Sequence, residues 1–171
     1  MKRLFCTLLL AISVQFLFAN QPYHFSHLSV KDGLSQLNVT CIYQDKLGYI
    51  WFGTRNGLNK FNGNSFEVYW NHADDPHSIS SNIINCMAED AEGNLWIGTE
   101  NGLNMLDKNK NEFKRYHINQ QENKDKNKIT SLCLDQQGTL WVGAASEGLF
   151  AYTPQGDSLK NISTKELKGN W

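Results

Sequence analysis

Only three arginines occur in the 171 residues, Arg3, Arg55 and Arg115. A carboxylate clamp built from three arginines is thereby excluded, because Arg3 lies in the N-terminal leader. Positive charge is also scarce: Lys and Arg number 16 against 17 acidic residues, a net charge of −1. A chain with this balance has no electrostatic footprint for nucleic acid, and none is expected as a partner. No Gly-x-Gly-x-x-Gly loop is present to cradle a phosphate. No Cys-x-x-Cys pair suggests a redox or zinc site, so neither cofactor nor metal is expected. The one long apolar run covers residues 4–18, short of the roughly 20 needed to cross a bilayer. Behind Met1-Lys2-Arg3 and ahead of Ala19 it reads as a secretory signal, residues 1–20, cleaved near residue 19. Export to the periplasmic side of the inner membrane is the expectation.

Outside the leader three cysteines remain, Cys41, Cys86 and Cys133, an odd number for an exported chain. Cys41 and Cys86 stand one repeat apart and Cys133 two residues out of phase. Cysteine is among the most often buried residues, and core thiols are expected rather than disulfides.

What the chain does contain is a 45-residue period, legible three times. The first copy carries Asp45, Gly48, Trp51 and Gly53, the second Asp90, Gly93, Trp96 and Gly98, the third Asp135, Gly138, Trp141 and Gly143. Periods of this length mark solenoids and propellers. Each copy divides into four short strands. Asp with Gly three residues on closes the first turn, the Asp bonding its own downstream backbone and the Gly supplying positive φ. Asn56-Gly57 and Asn101-Gly102 are hairpin signals for the second turn. Strands are expected at 39–43, 49–54, 58–61 and 66–70, then at 84–89, 95–99, 103–106 and 113–117. A third set falls at 129–134, 140–144, 149–152 and 159–162.

Four antiparallel strands per period make a propeller blade. The fold class is therefore all-β, an incomplete ring of about three blades with an N-terminal closing strand. The divisions are 1–20 signal, 21–37 outer closing strand and linker, 38–82 blade 1, 83–127 blade 2, and 128–171 blade 3 with the start of the next linker. Three blades fall short of the four of the smallest rings, so the chain reads as the leading piece of a longer protein. In each blade the Trp is expected to face the neighbouring sheet. Gly53, Gly98 and Gly143, inside strands, suit close backbone approach.

The pattern Asp-x-x-Gly-x-(Ile/Leu)-Trp-x-Gly-Thr-x-x-Gly-Leu, at 45–58 and 90–103 within residues 38–58 and 81–103, resembles the two-component regulator propeller repeat. The third copy departs at Ala144 and by one extra residue before Gly148. The resemblance implies the exported sensor region of a Bacteroides-type hybrid two-component system. It further implies remaining blades and a histidine kinase module downstream, a homodimer of the full receptor, and an oligosaccharide or other small ligand.

Frame positions repeat, whereas ligand contacts should differ from blade to blade. The turns between second and third strands share a face with the blade-to-blade linkers, and they carry Arg55 and Asn56, Glu100 and Asn101, and Glu147. These are candidate ligand contacts, with solvated hairpin tips as the alternative. Trp70 with His72 forms a candidate sugar-stacking platform, or Trp70 closes its outer strand. The His/Asp cluster at 72–77 lacks metal-ligand spacing and reads as a solvated linker. No catalytic residue is singled out within 1–171. The leading function is a non-catalytic sensor module. The alternatives are a propeller enzyme of sialidase or streptogramin-lyase type and a protein-docking scaffold, which fold alone does not separate.

Overall fold

The computed structural model describes residues 25–118, 127–153 and 157–162; the secretory leader expected over 1–20 lies outside them. Among the described residues, twelve strands form three separate four-stranded antiparallel sheets. Blade 1 is β1 (Val39–Gln44), β2 (Ile50–Thr54), β3 (Gly57–Phe61) and β4 (Phe66–Tyr69). Blade 2 is β5 (Ile84–Glu89), β6 (Leu95–Thr99), β7 (Gly102–Asp107) and β8 (Glu112–Tyr116). Blade 3 is β9 (Ile129–Leu134), β10 (Leu140–Ala144), β11 (Gly148–Thr153) and β12 (Ser158–Asn161). Each expected strand forms within two residues of its expected ends. The sheets do not close into a ring.

One carboxylate organises the first turn of every blade. In blade 1, Asp45 Oδ1 accepts from the backbone N–H of Leu47 and of Tyr49, both at 3.0 Å. Its Oδ2 accepts from Trp51 Nε1 at 2.9 Å, while Gly48, at φ +89°, donates to the Asp45 carbonyl. The Asp–indole bond recurs at 2.8 Å for Asp90–Trp96 and for Asp135–Trp141. The repeated Asp, Gly and Trp are thus one device, in which the turn orients the ring that packs the blade.

Blades stack through that ring. Trp51, 1% exposed, lies in a core with Ile84, Leu95, Ile97 and Phe113 of blade 2. Trp96, also 1% exposed, packs with Ile129, Leu140, Val142 and Tyr152 of blade 3, its ring 4.5 Å from Tyr152. Trp141 is only half-buried, and among the described residues no further blade lies against its face. On that uncovered face Cys133, expected as a core thiol, is exposed, while Cys41 and Cys86 are partly buried. At the other end Ile42, of opposite parity to Trp51, is 64% exposed beside the tilted rings of Phe52 and Phe66.

The first strands are innermost, β1 against β5 and β5 against β9. Thr40 Oγ1 donates to the Ile84 carbonyl at 2.6 Å, and Asn85 Nδ2 to that of Ile129 at 2.8 Å. Gly53 is where the Ile84 side chain and Cys41 sulfur press on the backbone; a Cβ there would sit 2.8 Å from Ile84 Cγ2. Gly98 repeats this against Ile129 at 2.6 Å. On the opposite end of the seam, Lys108 Nζ lies 3.2 Å from Asp45 Oδ2 and 3.0 Å from Glu89 Oε1. Both carboxylate side chains are at most 1% exposed.

Ahead of blade 1 an outer closing strand and linker are expected over 21–37, of which 21–24 lie outside the described residues. Residues 25–29 form no strand, and Phe25 is 95% exposed. The sheet it would join needs inner strands of its own, and the three described sheets already hold four strands each. A 3-10 turn, Val30–Asp32, follows, capped by Ser29 and ending at Gly33.

Candidate functional site

The hairpin tips and the blade linkers meet on one face, as expected from their positions. Gly57 N–H donates to the Asn82 carbonyl at 2.7 Å, Glu100 N–H to Ile83 at 3.1 Å and Ala145 N–H to Lys128 at 3.0 Å. Each bond joins the turn between second and third strands to the linker entering the following or the same blade.

A polar clasp beneath each tip holds this face together in blades 1 and 2. Ser35 N–H donates to Asn59 Oδ1 and Asn59 Nδ2 to Ser35 Oγ, both at 2.8 Å. The Ser35 and Thr54 hydroxyls are 3.0 Å apart, and Thr54 Oγ1 donates to the Gly57 carbonyl. Ser80, Thr99, Asn104 and Gly102 reproduce every bond one period later. In blade 3 the Thr and Asn positions are Ala144 and Phe150, both buried and apolar. The Ser and Asn members were readable at 45-residue spacing but belong to the frame, since they repeat.

On that frame the candidate side chains separate into groups. Arg55 and Asn56 are exposed at the β2–β3 tip. Glu100 and Asn101 are half-buried at the β6–β7 tip. The Asn56 and Asn101 backbone N–H groups donate to Thr54 and Thr99 hydroxyls, which assigns both residues a turn role as well. Glu100 accepts from Lys128 Nζ at 2.9 Å and Asn85 Nδ2 at 3.4 Å. Burial pushes the Glu100 carboxyl up, but Lys128, Asn85 and the nearby Arg55 charge outweigh it and hold it below the usual carboxylate range. The structure thereby brings Arg55, Glu100, Asn85 and Lys128 from blades 1 and 2 and the next linker into one charged line. Asn85 and Lys128 carry no sequence signal: Asn85 replaces Thr40 and Thr130 at its position, and Lys128 lies in a polar run. Glu147 stands one tip further on, half-buried, its backbone carbonyl accepting from Asn161 Nδ2 at 3.3 Å.

Trp70 and His72 do not join that line. Trp70 is 43% exposed, and the pyrrole edge of its indole lies against Gly57, where a Cβ would be 3.2 Å from Cδ1 and Nε1. Both side chains line a cavity of about 170 Å³ between the outer strands β4 and β8. The linker behind them is pinned. Arg115 Nε donates to the Ser78 carbonyl at 2.7 Å and Nη2 to the Asp75 carbonyl at 2.8 Å. Residues 72–77 are exposed, as a solvated linker would be, but their backbone is fixed.

Comparison with known proteins locates this architecture. Residues 33–56, 78–101 and 124–146 match the family Two component regulator propeller. A stretch of 71 residues, 42% of the chain, is 48% identical to Histidine kinase P4 of Formosa agariphila, of which it covers 5%. The extracellular domain assigned to the hybrid two component system BT3049 of B. thetaiotaomicron superposes with a TM-score of 0.74 at 28% identity. That match covers 87% of this chain and 21% of that one. A streptogramin B lyase superposes with a TM-score of 0.55 at 20% identity over 75% of this chain and 42% of its own, a likeness of fold. The chain thus spans a small part of the relatives it matches.

Proposed function

Taking the chain as a two-component regulator propeller domain that resembles the sensor regions of Bacteroides-type hybrid systems, we propose that it senses an oligosaccharide outside the cytoplasm. The blades span 38–82, 83–127 and, with the start of the next linker, 128–171, and further blades complete the ring of a longer receptor whose kinase lies beyond them. The observation that carries the reading is the charged line of Arg55, Glu100 and Lys128. It crosses two blade tips and a linker on one face, at the positions where the three repeats differ in charge.

Such a face suits ligand contact better than chemistry. Glu100 is held as a carboxylate by its cationic partners, a state that accepts sugar hydroxyls but does not supply a proton near neutral pH. The candidate contacts are Arg55, Asn56, Glu100, Asn101 and Glu147. Ligand seated across tips of adjacent blades would bias their relative packing, which is the kind of differential contact a transmitted signal requires.

The test is reporter output from the receptor carrying Arg55→Ala and Glu100→Ala, alone and together, over a panel of oligosaccharides. Loss of response with unchanged protein level supports the reading, and an unaltered dose response removes this face from sensing. Incubation with a streptogramin B substrate tests the lyase alternative, and no turnover is expected.

A further inference from the structure

The rim cavity between β4 and β8 is built differently from the charged face, and we propose that it is a second site, taking a single pyranose ring. Its floor is apolar: Tyr69 and Phe113 meet edge to face at 5.6 Å. One wall is the half-exposed indole of Trp70. Polar side chains surround the opening, His72, Asp75 and His77 from the linker and Asn111 from blade 2. Aromatic side chains beside convergent polar groups belong to the general anatomy of a small-ligand site, and here polar and apolar groups share the lining about equally. Indole beside donors and acceptors matches a pyranose, which pairs an apolar ring face with equatorial hydroxyls. The volume of about 170 Å³ is below the range of about 300–1,000 Å³ that encloses drug-sized ligands. One ring fits, and an oligosaccharide would enter by its end.

The opening is fixed before any ligand arrives. Tyr69 Oη donates to Asn111 Oδ1 at 3.0 Å, and Asn111 sits at φ +57° in the turn before β8. His72 N–H donates to Ser78 Oγ at 2.8 Å and His77 N–H to Asp75 Oδ1 at 2.9 Å. Phe113 N–H donates to the His77 carbonyl at 2.8 Å, tying the linker to the edge of β8. A pinned loop loses little conformational entropy on binding. The cavity also straddles the seam of blades 1 and 2, so an occupant would bridge them. The choice of sugar as ligand class agrees with the proposed sensing role, but the site stands on its own geometry.

Saturation-transfer NMR with methyl hexopyranosides of the gluco, galacto and manno series, on the 171-residue chain, tests this. At least one is expected to bind saturably. Trp70→Ala should weaken it about tenfold, the scale of one lost aromatic contact, and Trp70→Phe should retain most of it. His72→Ala should weaken it by a smaller factor, and Arg55→Ala and Glu100→Ala should leave it unchanged. Near-UV circular dichroism verifies folding of each variant; should Trp70→Ala not fold, Trp70→Phe and His72→Ala decide. Absence of saturable binding by every pyranoside overturns the proposal, as does binding that Trp70→Ala and His72→Ala leave intact. Oligosaccharide response lost on Glu100→Ala but pyranoside binding kept would separate this site from the charged face.

Discussion

Asp45 concentrates several duties in one carboxylate: it closes a turn, holds the Trp51 indole and faces Lys108 across the blade seam. Burial alone would raise its pKa, but the Trp51 and Lys108 contacts prevail and lower it from 3.8. A carboxyl with a depressed folded pKa contributes stability above its unfolded value, lost as pH falls through the folded value. Chemical denaturation between pH 7 and pH 2 should therefore show stability falling below roughly pH 4, and Asp45→Asn should flatten that fall. Lys108→Met, which leaves Asp45 and Glu89 buried without their cation, should cost about 3–5 kcal/mol at neutral pH, read by urea titration. The Asp–Trp pairs were legible in sequence because they repeat. Lys108 was not, since its role depends on a contact with Asp45 in the preceding blade that no local pattern encodes.

At the scale of the element, the blade is specified by turn chemistry and strand parity, and these are the features a single sequence displays. Asp-x-x-Gly and Asn-Gly place the turns, so strand ends were readable to within two residues. The expected closing strand depends instead on finding a partner sheet; most of it lies outside the described residues, and residues 25–29 form no strand. The interior glycines argue the same point from packing. Gly98→Ala would set a Cβ 2.6 Å from Ile129 Cγ2, and should destabilise by roughly 1–3 kcal/mol through overpacking. Gly93→Ala, at a turn where the nearest atom to a new Cβ is 3.6 Å away, should cost less and only through its positive φ. Differential scanning of the two variants ranks them. The charged line of Arg55, Glu100 and Lys128 was half legible: the tips follow from hairpin signals, whereas the contact of Lys128 with Glu100 joins residues 28 apart that no local pattern links.

For the molecule as a whole, the tryptophan positions report which seams are complete. Trp51 and Trp96 are sealed by the following blade, and Trp141 is not. Trp96→Ala should cost about 3–5 kcal/mol, and Trp141→Ala clearly less in this chain. The proposed receptor reading requires a further blade against the Trp141 face, where Cys133 lies exposed. Cys86 offers an internal control, because burial pushes its thiol up to about 12 and keeps it unreactive near neutral pH. The decisive measurement is maleimide labelling at Cys133, located by peptide mapping, in the 171-residue chain and in the receptor-length protein. The account predicts rapid labelling in the former and strong protection in the latter. Equal labelling of Cys133 in both would show that no blade seals this face, and would contradict the reading of the chain as the opening arc of a sensor ring.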